Sequence, residues 1–247
     1  MSTRTGGAQL SLFEPARAER SFSVRVTRRS RRLTVRVYPG GRVEVAVPHG
    51  TRPAAIERFV QEHRGWIDAR LVELASHPRA QEPPLPDTVA LQALDRVVPV
   101  HYLARRRAGW QRTDSGALLV YGDRGELGRT RDTLRAWLTA AAREALEPWL
   151  RRLAEERGFA VEQVQLRRQQ TRWGSCSRSG TVSLNVCLMF QPPAVVRYLM
   201  LHELCHTRHM NHSARFWRLV ASHEPDYRAL DRALTRGWQH VPLWVYG

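Results

Sequence analysis

Three short runs near the N-terminus alternate apolar and polar positions: Phe22, Val24 and Val26; Leu33, Val35 and Val37; Val43, Val45 and Val47. A period of two marks half-buried strands, and Gly40-Gly41 punctuates the last two runs, so this stretch predicts a small antiparallel sheet. The period then changes. Ile56, Phe59, Val60, Trp66, Ile67 and Leu71 form one helical stripe, opened by Pro53 with Thr51 as its expected N-cap. The segment HPRAQEPPLPD (77–87) is proline-rich and polar and reads as a linker. Alternation resumes weakly over 88–122, around Val97–Val100 and Leu118–Val120, with turns at Gly109 and Gly116, and predicts more strands.

A second long stripe runs from Asp132 to Arg157 through Leu134, Trp137, Leu138, Ala141, Ala145, Trp149, Leu150 and Leu153. Pro148 should kink this helix and Gly158 should end it. Two strands, Gln163–Cys176 and Thr181–Cys187, are expected to join across SRSG. Pro192-Pro193 then opens PAVVRYLMLHELCH, apolar nearly all round and therefore a buried helix. Further helices are expected from Ser213 through Val220 and from Pro225 to Arg236. Residues 1–20 carry no period and read as a flexible leader.

Composition bounds the function classes. The chain has 247 residues and is 43% apolar, enough for one large domain or two modest ones and too much for wholesale disorder. No stretch approaches the ~18 apolar residues of a membrane span, and the first twenty residues lack the apolar core of a signal peptide. Cys176, Cys187 and Cys205 are an odd set without CxxC, which reads as reduced thiols in a cytoplasmic protein. The net charge of +16 would draw nucleic acid or other anions. All 39 basic residues are arginine and they are spread along the chain, a global bias that points to weak nucleic-acid association rather than a dedicated footprint.

Residues 202–212 read HELCHTRHMNH. Residues four apart on a helix sit ~40° apart in rotation and ~6 Å apart along the axis, so His202 and His206 can share one metal ion. Glu203 then lies beside the ion, placed to take a proton from activated water and return it to a leaving group. HExxH arises by chance in roughly two of a hundred shuffled chains of this composition. The apolar LMLHEL context therefore matters more than the motif: two histidines and a carboxylate buried without an ion would be costly. A catalytic zinc needs a third protein ligand and an open position. The candidates are His209, His212, His223, Glu224 and Asp226. On a continuous helix His209 would lie ~10 Å from His202 along the axis and His212 ~15 Å. His212 serves only if the helix ends just after His206 and the chain doubles back, for which Asn211 is a plausible left-handed residue and Ser213 a good N-cap. Geometry alone leaves His212 and Glu224 both open.

Four segments in order, RWGSC (172–176), VSLN (182–185), HELCH (202–206) and NHSARFW (211–217), resemble the YgjP-like family of metal-dependent hydrolases, related to the WLM and SprT-like metalloproteases. The N-terminal RRSRRLTVRV and GWIDARL extend the likeness over nearly the whole chain after Ser21. The resemblance implies His202, His206 and His212 as ligands and Glu203 as acid/base. It also implies one zinc ion per chain and a zincin-like domain in which an edge strand beside the metal helix pairs with extended substrate. Trp173-Gly174-Ser175 is the candidate for that strand. Arg172, Asn185 and Tyr198 are candidates to orient a ligand or stabilise an oxyanion. The alternative for Asn185 is a satisfied buried amide.

Together these readings give an α+β protein: a flexible leader (1–20), a β-rich region with one helix (21–125), and a zincin-like domain (126–247) whose short antiparallel sheet packs on the HExxH helix. The leading function is zinc-dependent hydrolysis of peptide bonds. The alternatives are cleavage of a nucleotide phosphoanhydride and, in a different class, a nucleic-acid-binding module with a structural zinc.

Overall fold

The computed structural model describes residues 22–27, 31–38, 41–76 and 83–246; the expected leader, Gly40 and the first part of the 77–87 linker lie outside them. The chain divides into two compact units, one ending at Ser76 and one beginning at His77.

In the first unit, β1 (Ser23–Thr27), β2 (Thr34–Val37) and β3 (Val43–Pro48) form a sheet of order β1-β3-β2. The sheet is mixed, not antiparallel as expected: β2 and β3 pair antiparallel, and β1 pairs parallel with β3. The reason lies in β3, whose residues Val43 to Val47 are buried on both faces. β3 is also the central strand, paired on one edge with β2 and on the other with β1, which runs parallel to it. The expected single helix is two, α1 (Pro53–Glu62) and α2 (Arg64–Ser76). They separate at His63, whose backbone N–H and ring Nδ1 both engage the Phe59 carbonyl. Thr51 does not cap α1; its hydroxyl donates to the Pro48 carbonyl at 2.8 Å.

The second unit contains strands β4 (Thr88–Leu91), β5 (Arg96–Leu103), β6 (Gly109–Arg112) and β7 (Leu118–Tyr121) in the order β4-β5-β7-β6. These strands, expected in the N-terminal region, belong to this unit because Val98, Val100, Leu118 and Val120 share one core with Leu134, Trp137 and Leu138 of α3 (Leu127–Glu156). At 30 residues, α3 is ~45 Å long, and it packs on both this sheet and the next. Pro148 lies inside it without interrupting it. Gly158, at φ +67°, closes its C-terminus, and the Phe159 N–H bonds back to the Ala154 carbonyl at 2.8 Å.

The second sheet of this unit, β8 (Gln163–Arg167), β9 (Gly174–Cys176) and β10 (Thr181–Asn185), has the order β8-β10-β9, so β9 is an edge strand. β9 and β10 pair antiparallel around the SRSG turn, while β8 runs parallel to β10. The expected strand from 163 to 176 is broken in two, and Asn185 is the cause. Its amide nitrogen donates to the carbonyls of Gln169 and Arg172 at 2.7 and 2.8 Å, drawing the intervening segment into a loop. Its amide oxygen accepts from Cys187 N at 3.0 Å, which ends β10 at Asn185 and starts a 3₁₀ turn. With the side chain 1% exposed, all three bonds are made in the interior. Asn185→Ala is expected to lower stability by ~2–4 kcal/mol in urea unfolding, and Asn185→Asp should not rescue it, because a carboxylate cannot donate to two carbonyls.

Helix α4 (Pro193–Cys205) is enclosed on nearly all sides, as its apolar composition predicts, and α5 (Ala214–His223) and α6 (Tyr227–Arg236) pack against it. Among the described residues no helix is long and apolar enough to cross a membrane.

Candidate metal centre

Helix α4 stops where the chemistry needs it to stop. After Cys205 the backbone tightens, with His206 N bonding Glu203 O at 3.2 Å, Thr207 N bonding Leu204 O at 3.0 Å and Arg208 N bonding Cys205 O at 3.1 Å. The Thr207 hydroxyl adds a bond to Leu204 O at 2.7 Å. Arg208 fastens the departing chain to the end of α3: its guanidinium donates to the Gly158 carbonyl at 2.7 Å and lies 4.6 Å from the centre of the Phe159 ring. Asn211 plays no left-handed part, since Asp95 alone among described non-glycine residues has positive φ. Ser213 caps α5 as expected, accepting from Phe216 N.

The chain therefore doubles back, and His212 meets the two helix histidines. Nε2 of His212 lies 3.1 Å from Nε2 of His202, and the ligand-capable nitrogens of His202, His206 and His212 all lie within 4.8 Å of one another. For metal–nitrogen bonds of ~2.0–2.1 Å, tetrahedral ligands stand ~3.3 Å apart, so this spacing suits one small ion. Nδ1 of His206 faces the His209 carbonyl at 3.0 Å, a contact that as an N–H donor leaves Nε2 free as a ligand. His209 thus contributes its backbone, and its side chain stands outside the group. Burial holds His202 neutral, lowering its pKa to about 3 with help from His206 and His212, and burial likewise lowers His206. Neutral imidazoles keep the lone pairs that a metal needs.

Two aromatic residues hold the three rings, and the sequence reading had not assigned them to the site. Phe216 stacks on His206 with centroids 4.4 Å apart and meets His202 and His212 at 5.0 and 4.8 Å. Trp217 stacks on His212 at 5.6 Å and on Tyr227 of α6 at 5.3 Å. The signal was present in the adjacent aromatic pair soon after His212. What it lacked was the knowledge that α5 folds back over α4.

Glu203 is 5% exposed. Burial pushes its carboxyl up to about 8, while the Arg172 guanidinium pulls the other way. A bound dication would pull it down further. Across from it stands Gly174 on β9: a Cβ built there would lie 2.6 Å from Oε1 and 2.9 Å from Cγ of Glu203. Strand and carboxylate meet at a distance that no side chain other than hydrogen allows.

The remaining candidates divide. Ser175 is half-buried and pairs with Ser183 across the β9–β10 ladder. Trp173 is buried and stacks on Trp238 at 4.0 Å, forming wall rather than surface. Asn185 is structural, as described. Tyr198 is fully buried and donates to Asp231 at 2.8 Å, turned to α6. Glu224, the rival third ligand, lies outside the histidine group and is ion-paired with Arg197. Cys205 is buried packing.

An α+β unit in which three histidines converge beside a buried glutamate defines a metallopeptidase-type centre. The chain belongs to the YgjP-like family: the model of the YgjP-like metallopeptidase domain matches residues 31–237. Among solved structures, the chain resembles the crystal structure of the metallopeptidase zymogen of Pyrococcus abyssi abylysin. That likeness has 24% identity and a TM-score of 0.34, and covers 37% of this chain and 93% of the other. It is too distant to carry a statement about the site. No curated protein matches the chain.

Proposed function

We propose that the protein is a zinc-dependent peptidase in which His202, His206 and His212 hold the ion and Glu203 is the general base and acid. The observation that carries this reading is the convergence of three ligand nitrogens within 4.8 Å beside the buried Glu203 carboxylate. Three imidazole nitrogens suit zinc; magnesium and calcium prefer oxygen donors. When bound, zinc would polarise the scissile carbonyl and bring the pKa of the attacking water to ~7.

The chain's own residues supply the rest. Glu203 takes the proton of the attacking water and passes it to the leaving amine, so the same oxygen acts first as base and then as acid. The buried setting keeps that carboxylate from being solvated, which strengthens its interaction with the transferred proton. Phe216 and Trp217 fix the imidazole planes, so ligand geometry need not be ordered during turnover. As an edge strand beside Glu203, β9 offers a side on which an extended peptide can pair, while Gly174 lets the strand approach the Glu203 carboxylate.

The histidine group is the only cluster of three or more metal-capable side chains among the described residues. Cys187 and Cys205 are buried outside it, which disfavours a cysteine-closed structural zinc. The test is metal analysis with peptide hydrolysis before and after chelation. One zinc per chain, activity lost at least ~100-fold on chelation and restored by zinc but not magnesium, is the expected result. A metal-free protein after zinc-replete purification would overturn the proposal, as would nucleotide cleavage in place of peptide cleavage.

A further inference from the structure

Arg172 lies two residues before Gly174, the glycine that meets Glu203, and its side chain has nothing to hold. Its backbone carbonyl accepts the Asn185 amide at 2.8 Å, and the β9–β10 ladder runs one residue past the strand, Asn185 N bonding the Trp173 carbonyl at 2.8 Å. Trp173 is pinned in turn by its stack on Trp238. The main chain at Arg172 is therefore rigid, yet its side chain is exposed, and among the described residues its guanidinium has no hydrogen bond or ion pair.

Alternation along β9 puts Gly174 and Cys176 on one side, and Arg172 lies two residues before Gly174, across a bend at Trp173. Gly174 meets Glu203 directly, and Arg172 and Cys176 stand two residues before and after it in the chain. The electrostatics agree: Arg172 acts on Glu203, and Glu203 acts on Cys176. Some arginines of this unit are held by protein groups. Arg197 pairs with Glu224, Arg208 holds Gly158 O, and Arg135 holds the carbonyls of Trp244 and Tyr246. Arg172 is unpaired, and its main chain is held two residues before the glycine that meets Glu203. Its planar fork of N–H donors matches a carboxylate bidentately.

Resting on the peptidase reading above, we propose that Arg172 is a specificity residue that binds a substrate carboxylate, so the preferred substrates are peptides with an acidic side chain, or a free C-terminal carboxylate, close to the scissile bond. Glu203 is sealed beneath β9, so the incoming carboxylate would take the solvent side of the guanidinium. The chain's overall positive charge steers anions in general. It persists when Arg172 is replaced, which lets the local effect be separated from the global one.

The experiment uses the zinc-loaded full chain with matched fluorogenic peptides, in which Glu or Gln is scanned through the positions flanking the cleavage site. Each peptide is made with a free and an amidated C-terminus. At one position, or at the terminus, the carboxylate form should be favoured by about tenfold, chiefly through KM. That ratio should shrink in ~0.5 M salt, fall toward unity in Arg172→Ala, and partly return in Arg172→Lys. Preference for internal Glu assigns the carboxylate to a side chain, and preference for the free terminus assigns it to the peptide end. If wild type cleaves every peptide alike, the inference fails and the peptidase reading stands. If no peptide is cleaved, the peptidase reading itself fails. A uniform drop in kcat on all peptides in Arg172→Ala would overturn the inference too, by placing Arg172 on the reacting oxygen.

Discussion

His212→Ala is expected to empty the metal centre, whereas Glu224→Ala should leave it loaded. The two residues were equal rivals on spacing, and their surroundings separate them. Nε2 of His212 is 3.1 Å from that of His202, and its ring stacks on Trp217. Glu224 is held by Arg197 at the far end of α5 and stands outside the histidine group. Loss of an outer-shell partner alone typically costs ~10–100-fold in metal affinity, so loss of a direct ligand should cost at least ~100-fold, and peptidase activity should fall with it. Zinc content per chain after dialysis, measured beside wild type, reads this directly. Zinc retained in His212→Ala and lost in Glu224→Ala would invert the ligand set.

The second large effect is expected at a residue that contacts no ligand. Gly174→Ala places a methyl carbon 2.6 Å from Oε1 and 3.0 Å from Cδ of Glu203, inside any real contact distance. Glu203 is enclosed and cannot swing away freely, so the carboxylate must shift or β9 must lift from α4. A misplacement of ~1 Å in a catalytic group costs ~100-fold, and removal of a general base costs ~100- to 10,000-fold. Gly174→Ala should therefore lower kcat by ~100-fold or more and approach Glu203→Gln, with zinc content close to wild type in both. Full activity in Gly174→Ala would mean that Glu203 does not act from the position seen here. Loss of zinc in that variant would mean that the strand supports the ligands as well as the base.

The elements that the sequence made legible are those whose signal is local. The α3 stripe with its closing Gly158 appears almost as read, with the start moved from Asp132 to Leu127. The all-round apolar character of PAVVRYLML foretold the burial of α4, and Ser213 foretold the start of α5. Readings failed where a side chain competes with the backbone. Asn185 cuts a strand in the middle and ends another, and His63 splits a helix, each by hydrogen bonds that no periodicity records. The first sheet was misjudged for a different reason: alternation marks the strands but not which of them pair, and β3 rather than β2 is central.

By itself the sequence determined the helix that carries His202 and His206, because residues four apart on a helix share a face whatever surrounds them. It determined Glu203 as the neighbouring carboxylate for the same reason. Tertiary structure alone decided the rest of the centre. His212 joins because Arg208 ties the departing chain to the end of α3, forty-nine residues before it in sequence if counted from Phe159. The histidine planes are set by Phe216 and Trp217 once α5 folds over α4. Glu203 is confined because β9, from another part of the chain, brings a glycine against it. Spacing along one helix is written in the chain, but the distance between a strand and a helix is set only when both are packed on the same core.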